Sequence, residues 1–187
     1  MIQNNEVLIV VPAYNESATI AKVVGEIHEA GFTCVVVDDG SEDDTSKLAE
    51  VAGAIVLTLP FNAGVGGALR CGFRFAIEKQ FKAIIQCDAD GQHHSFHFQD
   101  LINATNKNGA DLVLGSRFLS SKNQLDPNSI RRFAMCWLAR VASQATNSKI
   151  TDSTSGFRLI RRPLLDQLAE NLPEYYLGDT FEALVVI

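Results

Sequence analysis

No apolar stretch in this 187-residue chain approaches the ~20 residues that a bilayer-spanning helix needs, and mean hydropathy is only +0.07. Met1 to Glu6 has no basic start, so no secretion signal is expected. Positive charge is scarce: 16 Lys and Arg against 22 Asp and Glu leave a formal charge of −6. That balance argues against a nucleic-acid binder, which needs a basic face. The four cysteines, Cys34, Cys71, Cys87 and Cys136, are isolated and never in C-x-x-C spacing. A zinc ribbon or redox pair has no support, and buried free thiols in a reducing cytosol are expected. Repeats, low-complexity tracts and Pro/Gly/Ser linkers are also lacking. Residues 1–187 are therefore expected to form one domain.

What is present is an alternation of β-branched runs and helical periods. Val7–Val11 reads as a strand buried on both faces and ended by Pro12. Ile20, Val23, Val24 and Ile27 recur at helical spacing, with Gly31 placed as a C-terminal cap. Cys34–Val37 is a second strand, followed by a polar turn and a helix through Leu48 to Val51. Ile55–Leu57 is a third strand, and a helix is expected from near Val65 to about Gln80. Ala83–Ile85 is a fourth strand. A helix around Phe98–Asn106, a strand at Asp111–Leu114 and a polar loop from Ser120 to Asn128 follow. A helix from Ile130 to Thr146 and a short strand at Phe157–Ile160 complete the pattern. Such alternation predicts an α/β sandwich with a mostly parallel sheet, whose ligands sit beyond the carboxyl ends of the strands.

The chemistry collects at those ends. Strand one ends in Pro12-Ala13-Tyr14-Asn15-Glu16, and strand two enters Asp38–Asp44, with five carboxylates in seven residues. Strand four ends in Asp88-Ala89-Asp90-Gly91-Gln92-His93, and the next in Gly115-Ser116-Arg117. Packing alone does not account for carboxylates at the ends of three apolar strands. Asp88 and Asp90 are alternate residues of an extended segment and point the same way. Two close carboxylates repel unless a cation such as Mg²⁺ or Mn²⁺ lies between them. The competing reading is a polar turn at Asp90-Gly91 that opens the next helix. The glycines of Asn62–Ala68 match neither G-x-G-x-x-G nor the Walker pattern. They allow close approach either of a nucleotide or of helix to sheet. His93 and His94 stand beside the carboxylates, where a metal or phosphate role competes with a plain turn.

In sequence order, P-A-Y-N-E, V-D-D-G-S-x-D-x-T, N-x-G-x-G-x-A, D-A-D-G-Q-H, G-S-R and S-G-F-R span residues 12 to 158. The set resembles the family 2 glycosyltransferases of GT-A fold, and within them the dolichyl-phosphate mannose synthase and polyprenyl-phosphate glycosyltransferase branch. The resemblance implies a GT-A, Rossmann-like sandwich that transfers sugar, with inversion, from a GDP- or UDP-sugar to a polyprenyl phosphate. It implies nucleotide-sugar contacts at Pro12, Ala13, Tyr14, Glu16, Asp39, Asp88 and Ala89. Mg²⁺ or Mn²⁺ would be held by Asp88, Asp90 and Gln92. Acceptor phosphate would be held by Arg117 and by Arg131 or Arg132, and Ser155–Arg158 would shape the acceptor side. Asp90 and Arg117 are the implied catalytic pair.

A phosphate acceptor is already anionic and needs no strong general base; an alcohol acceptor would need one, with Asp179 or Glu182 as candidates. Two departures stand out: the branch usually follows Q-H with Pro, whereas this chain reads His93-His94-Ser95, and the chain stops at Ile187 where relatives continue. A fragment is therefore expected, with a missing C-terminal membrane segment or a membrane-protein partner, at the cytoplasmic face of a membrane. A saccharide acceptor, or a nucleotide-sugar-binding fragment without turnover, are the alternatives.

Overall fold

A computed structural model of the protein describes residues 1–91, 97–115 and 156–172. The strands are β1 (Val7–Ala13), β2 (Thr33–Asp38), β3 (Ile55–Thr58), β4 (Ala83–Gln86), β5 (Leu112–Leu114) and β6 (Arg158–Arg161). They form one sheet in the order β3-β2-β1-β4-β6-β5. Neighbours among β1, β2, β3 and β4 pair in parallel, whereas β6 runs antiparallel to both β4 and β5. The helices among the described residues are α1 (Ile20–Glu29), α2 (Thr45–Val51), α3 (Gly64–Glu78), α4 (Phe98–Asn108) and α5 (Leu164–Asn171). The expected mostly parallel α/β sandwich is the fold observed.

Alternation along β1 divides the core into two layers. Val7, Ile9 and Val11 pack with Ile20, Val24 and Ile27 of α1 and with Phe98 and Ile102 of α4. Leu8 and Val10 pack on the other face with Leu69 and Phe73 of α3 and Leu165 and Leu168 of α5. Helices on both faces are why the central strands are apolar throughout rather than alternating. Gly72 lets α3 come close: a Cβ there would lie 2.5 Å from Val10 Cγ1. Cys34 and Cys87 are buried free thiols and Cys71 is half-buried. Burial pushes the Cys34 thiol up to about 12 and raises that of Cys87 as well.

Two expectations are corrected. The first strand does not stop at Pro12 but runs through Ala13, with Pro12 opposite Val37 and Ala13 opposite Asp38. The Val10 carbonyl accepts the Cys87 N–H at 3.0 Å, so Val10 faces β4, and by alternation Pro12 does too. Pairing with β4 has already ended at Gln86, so the missing proline N–H breaks no ladder bond. Helix α5 carries the second correction, for no element was expected there. Its signal is short, Leu164, Leu165 and Leu168, and its stability comes from docking on α3, where Arg74 Nε donates to the Ala169 carbonyl at 3.3 Å. The expected loop over 120–128 and helix over 130–146 lie outside the described residues.

Candidate active site

The β1–α1 and β2–α2 loops are stitched together by side chains bonding backbone. Asn15 sits in the left-handed region (φ 55°), which Asn tolerates better than most residues. Its N–H donates to Ser41 Oγ at 2.9 Å, and its Oδ1 accepts the Glu42 N–H at 2.9 Å. Glu16 N–H donates to Thr45 Oγ1 at 2.8 Å, and Ser17 N–H to Asp43 Oδ2 at 3.1 Å. Asp43 Oδ1 also accepts the Thr45 hydroxyl and its N–H. The hydrogen bonds from Thr45 and Ser17 hold the Asp43 carboxyl down at about 2. Buried Asp38 accepts the Ser41 N–H at 3.0 Å on one oxygen and the Ser46 hydroxyl on the other. Thus Asp38 and Asp43, two of the five clustered carboxylates, build the loop itself.

Asp39 points elsewhere. Its N–H bonds the Ala13 carbonyl at 2.8 Å, and its Oδ1 accepts the Ala63 N–H at 2.7 Å. Among the described residues no donor reaches its Oδ2. Gly40, at φ 73°, brings this turn against the next loop: a Cβ there would lie 2.9 Å from the Phe61 carbonyl carbon.

A cleft of about 350 Å³ opens where these strand ends meet. Pro12, Ala13, Tyr14 and Glu16 form one wall, and Asp39 with Asn62, Gly64, Val65 and Ala68 another; Asp88, Ala89 and Asp90 close it. All eight described residues expected on the donor and metal side therefore reach one cleft. Within the glycine segment Asn62–Ala68, Gly64 lines the cleft, while Gly67 lies against Ala63 at the start of the same helix. A larger recess of about 480 Å³ lies where the parallel strands begin. Its cations are already matched: Lys82 with Glu6 at 2.5 Å, Arg161 with Asp111 at 3.6 Å and Arg162 with Asp166 at 2.9 Å.

Among the described residues no three His, Cys, Asp or Glu side chains cluster as a metal cage. Asp88 and Asp90 fit a cation of another kind, one that takes one or two carboxylates and completes its shell with water and substrate phosphate oxygens. Room for the first of them is set by Gly156: a Cβ there would lie 2.7 and 2.9 Å from the two oxygens of Asp88. Beside this contact, buried Arg158 donates from Nε to Gln86 Oε1 at 2.8 Å. Sequence reasoning missed that pair, although a Gln ending an apolar strand is a signal. Gly115 N–H bonds the Phe157 carbonyl at 2.8 Å, which sets Gly115 beside Phe157. Gln92, His93, His94, Arg117, Arg131, Arg132, Ser155, Asp179 and Glu182 lie outside the described residues.

A mostly parallel sheet with its cleft beyond the carboxyl ends of β1, β2 and β4 is the architecture of the GT-A glycosyltransferases. The fold matches glucosyl-3-phosphoglycerate synthase from Mycobacterium tuberculosis, solved with Mn²⁺, UDP and glucosyl-3-phosphoglycerate. The TM-score is 0.66 at 23% identity, over 86% of this chain and 58% of that one.

The chain belongs to glycosyl transferase family 2, whose family model matches residues 8–169. It is 30% identical over 177 residues to the polyprenol monophosphomannose synthase of Mycolicibacterium smegmatis, covering 86% of this chain and 63% of the relative. Identity to the undecaprenyl-phosphate mannosyltransferase of Micrococcus luteus is 30% over 167 residues, covering 85% and 68%. To the UDP-N-acetylglucosamine–dolichyl-phosphate N-acetylglucosaminyltransferase of Methanococcus voltae it is 26% over 198 residues, covering 96% and 79%. The chain thus spans less than two thirds of the mycobacterial synthase. Among the described residues no helix is long and apolar enough to cross a membrane.

Proposed function

We propose that this chain is the catalytic domain of an inverting, metal-dependent glycosyltransferase. It takes sugar from a nucleoside-diphosphate sugar, with GDP or UDP as carrier, and delivers it to a polyprenyl phosphate at the cytoplasmic face of a membrane. The observation that carries this reading is the meeting of Asp39, Asp88 and Asp90 with the β1 end in one cleft. The names of the polyprenyl-phosphate relatives support the acceptor class.

Asp39 serves the nucleoside, because its Oδ2 is open to a hydroxyl or N–H donor while Oδ1 holds Ala63. The loop stitched through Asn15, Thr45 and Asp43 holds Tyr14 and Glu16 along the same wall. Asp88 and Asp90, with Gln92, are the residues to hold Mg²⁺ or Mn²⁺. When bound, the ion supplies positive charge to the departing diphosphate. Arg117, with Arg131 or Arg132 and Ser155, holds the acceptor phosphate, whose oxygen attacks without a strong general base. A guanidinium fork suits that task in a way an ammonium does not.

Radiolabelled GDP- and UDP-sugars offered with polyprenyl phosphate and Mn²⁺ test the reading, and a lipid-extractable product is expected. A water-soluble oligosaccharide product instead would move the acceptor to a saccharide. Donor binding with neither transfer nor hydrolysis would make the chain a binding module. Arg117→Lys is expected to lower lipid transfer while donor binding persists; equal loss of donor binding would move Arg117 to the donor diphosphate.

A further inference from the structure

The pairing of β4 with β6 ends at Gln86 opposite Arg158, in antiparallel register. Two residues onward along β4 and two residues back from β6 stand Asp88 and Gly156. Directly opposed residues of an antiparallel pair present their side chains on the same face. The distances agree, since a Cβ on Gly156 would come within 2.7 and 2.9 Å of the Asp88 oxygens, closer than real Cβ atoms approach. Gly156 does not have a left-handed φ, so its backbone is open to any L-residue. The glycine is therefore required by the carboxylate and not by the turn.

This differs from the glycines that serve the core. At Gly72 and Gly115 an added Cβ would strike Val10 and the Phe157 ring. At Gly156 the nearest atoms, at 2.7, 2.9 and 3.2 Å, all belong to the Asp88 carboxyl, the tip of a short polar side chain and not part of the core. The pair beside it is rigid by comparison. Arg158 is 2% exposed and Gln86 3%, and they are joined at 2.8 Å inside the sheet.

We propose that Gly156 is a positioning residue for Asp88. Its missing side chain leaves the place from which the carboxylate faces the donor cleft, and the buried Arg158–Gln86 pair fixes the register of that contact. This rests on reading Asp88 as a carboxylate of the donor and metal site. It moves part of the S-G-F-R stretch from the acceptor side to the donor side.

The test is calorimetric titration of UDP and of GDP into the full 187-residue chain, with Mn²⁺ and with EDTA, alongside a thermal melt. Gly156→Ala is expected to melt near the native temperature and to keep the metal-free nucleotide affinity. Its Mn²⁺-dependent gain in affinity should fall about 10–100-fold, the usual loss when a group that orients a metal ligand is changed. Arg158→Lys keeps the charge but not the Nε donor, and should show a loss of the same kind. It also decides the matter if Gly156→Ala does not fold. An undiminished Mn²⁺-dependent gain in the folded variant overturns the proposal while leaving the reading of Asp88 standing. No Mn²⁺-dependent nucleotide binding by the native chain overturns both.

Discussion

Asp39 at the end of β2 accepts the backbone N–H of Ala63, at the threshold of α3, across 2.7 Å. One carboxylate thus joins two walls of the cleft through Oδ1 and offers Oδ2 to whatever enters. Asp39→Asn keeps an oxygen for Ala63 and should fold with near-native stability. It should weaken nucleoside diphosphate by about 1.5–3 kcal/mol, the range for a lost charge-assisted hydrogen bond. Asp39→Ala should in addition cost about 1–3 kcal/mol of stability by stranding the Ala63 N–H. Calorimetry and urea denaturation separate the two effects, and native affinity in the Asn variant would leave Asp39 a purely structural role.

Asp90 is exposed at the cleft, so its replacement touches little packing. Asp90→Asn should change stability by no more than about 0.5 kcal/mol, while abolishing the Mn²⁺-dependent part of nucleotide binding. Full transfer by the native protein in excess EDTA would contradict this role.

The Asp43 carboxyl, held at about 2 by Thr45 and Ser17, gives a pH dependence with a definite sign. Its folded value lies below the ordinary 3.8, so it favours the folded loop above that value. The contribution fades as pH falls toward 2. Carboxyl-detected NMR titration should place the Asp43 midpoint near 2, and Thr45→Val should raise it. A midpoint in the ordinary range in the native protein would mean the loop bonds do not form.

Gly72 tests the seating of α3 apart from the chemistry. Its absent Cβ would lie 2.5 Å from Val10 Cγ1, inside the core. Gly72→Ala should cost about 1–3 kcal/mol through overpacking, read as a shift in the urea midpoint at unchanged slope. Unchanged stability would show that α3 moves off the sheet freely.

The α/β class, most elements and the carboxylates at the strand ends are legible in the sequence alone. Those properties are local: β-branched runs and helical spacing act within one segment, and a polar residue that ends an apolar strand must leave the core. Neighbouring Asp38 and Asp39 look alike in sequence, yet strand alternation sends one to Ser46 in the loop and the other to Ala63 at the cleft. Which of them faces a ligand was settled only when α2 and α3 docked on opposite faces of β2. The insertion of β6, antiparallel between β4 and β5, was likewise decided by tertiary structure, because register between distant segments leaves no periodicity in either one. That register sets Gly156 against Asp88, and a contact between residues so far apart in the chain exists only once the sheet has closed.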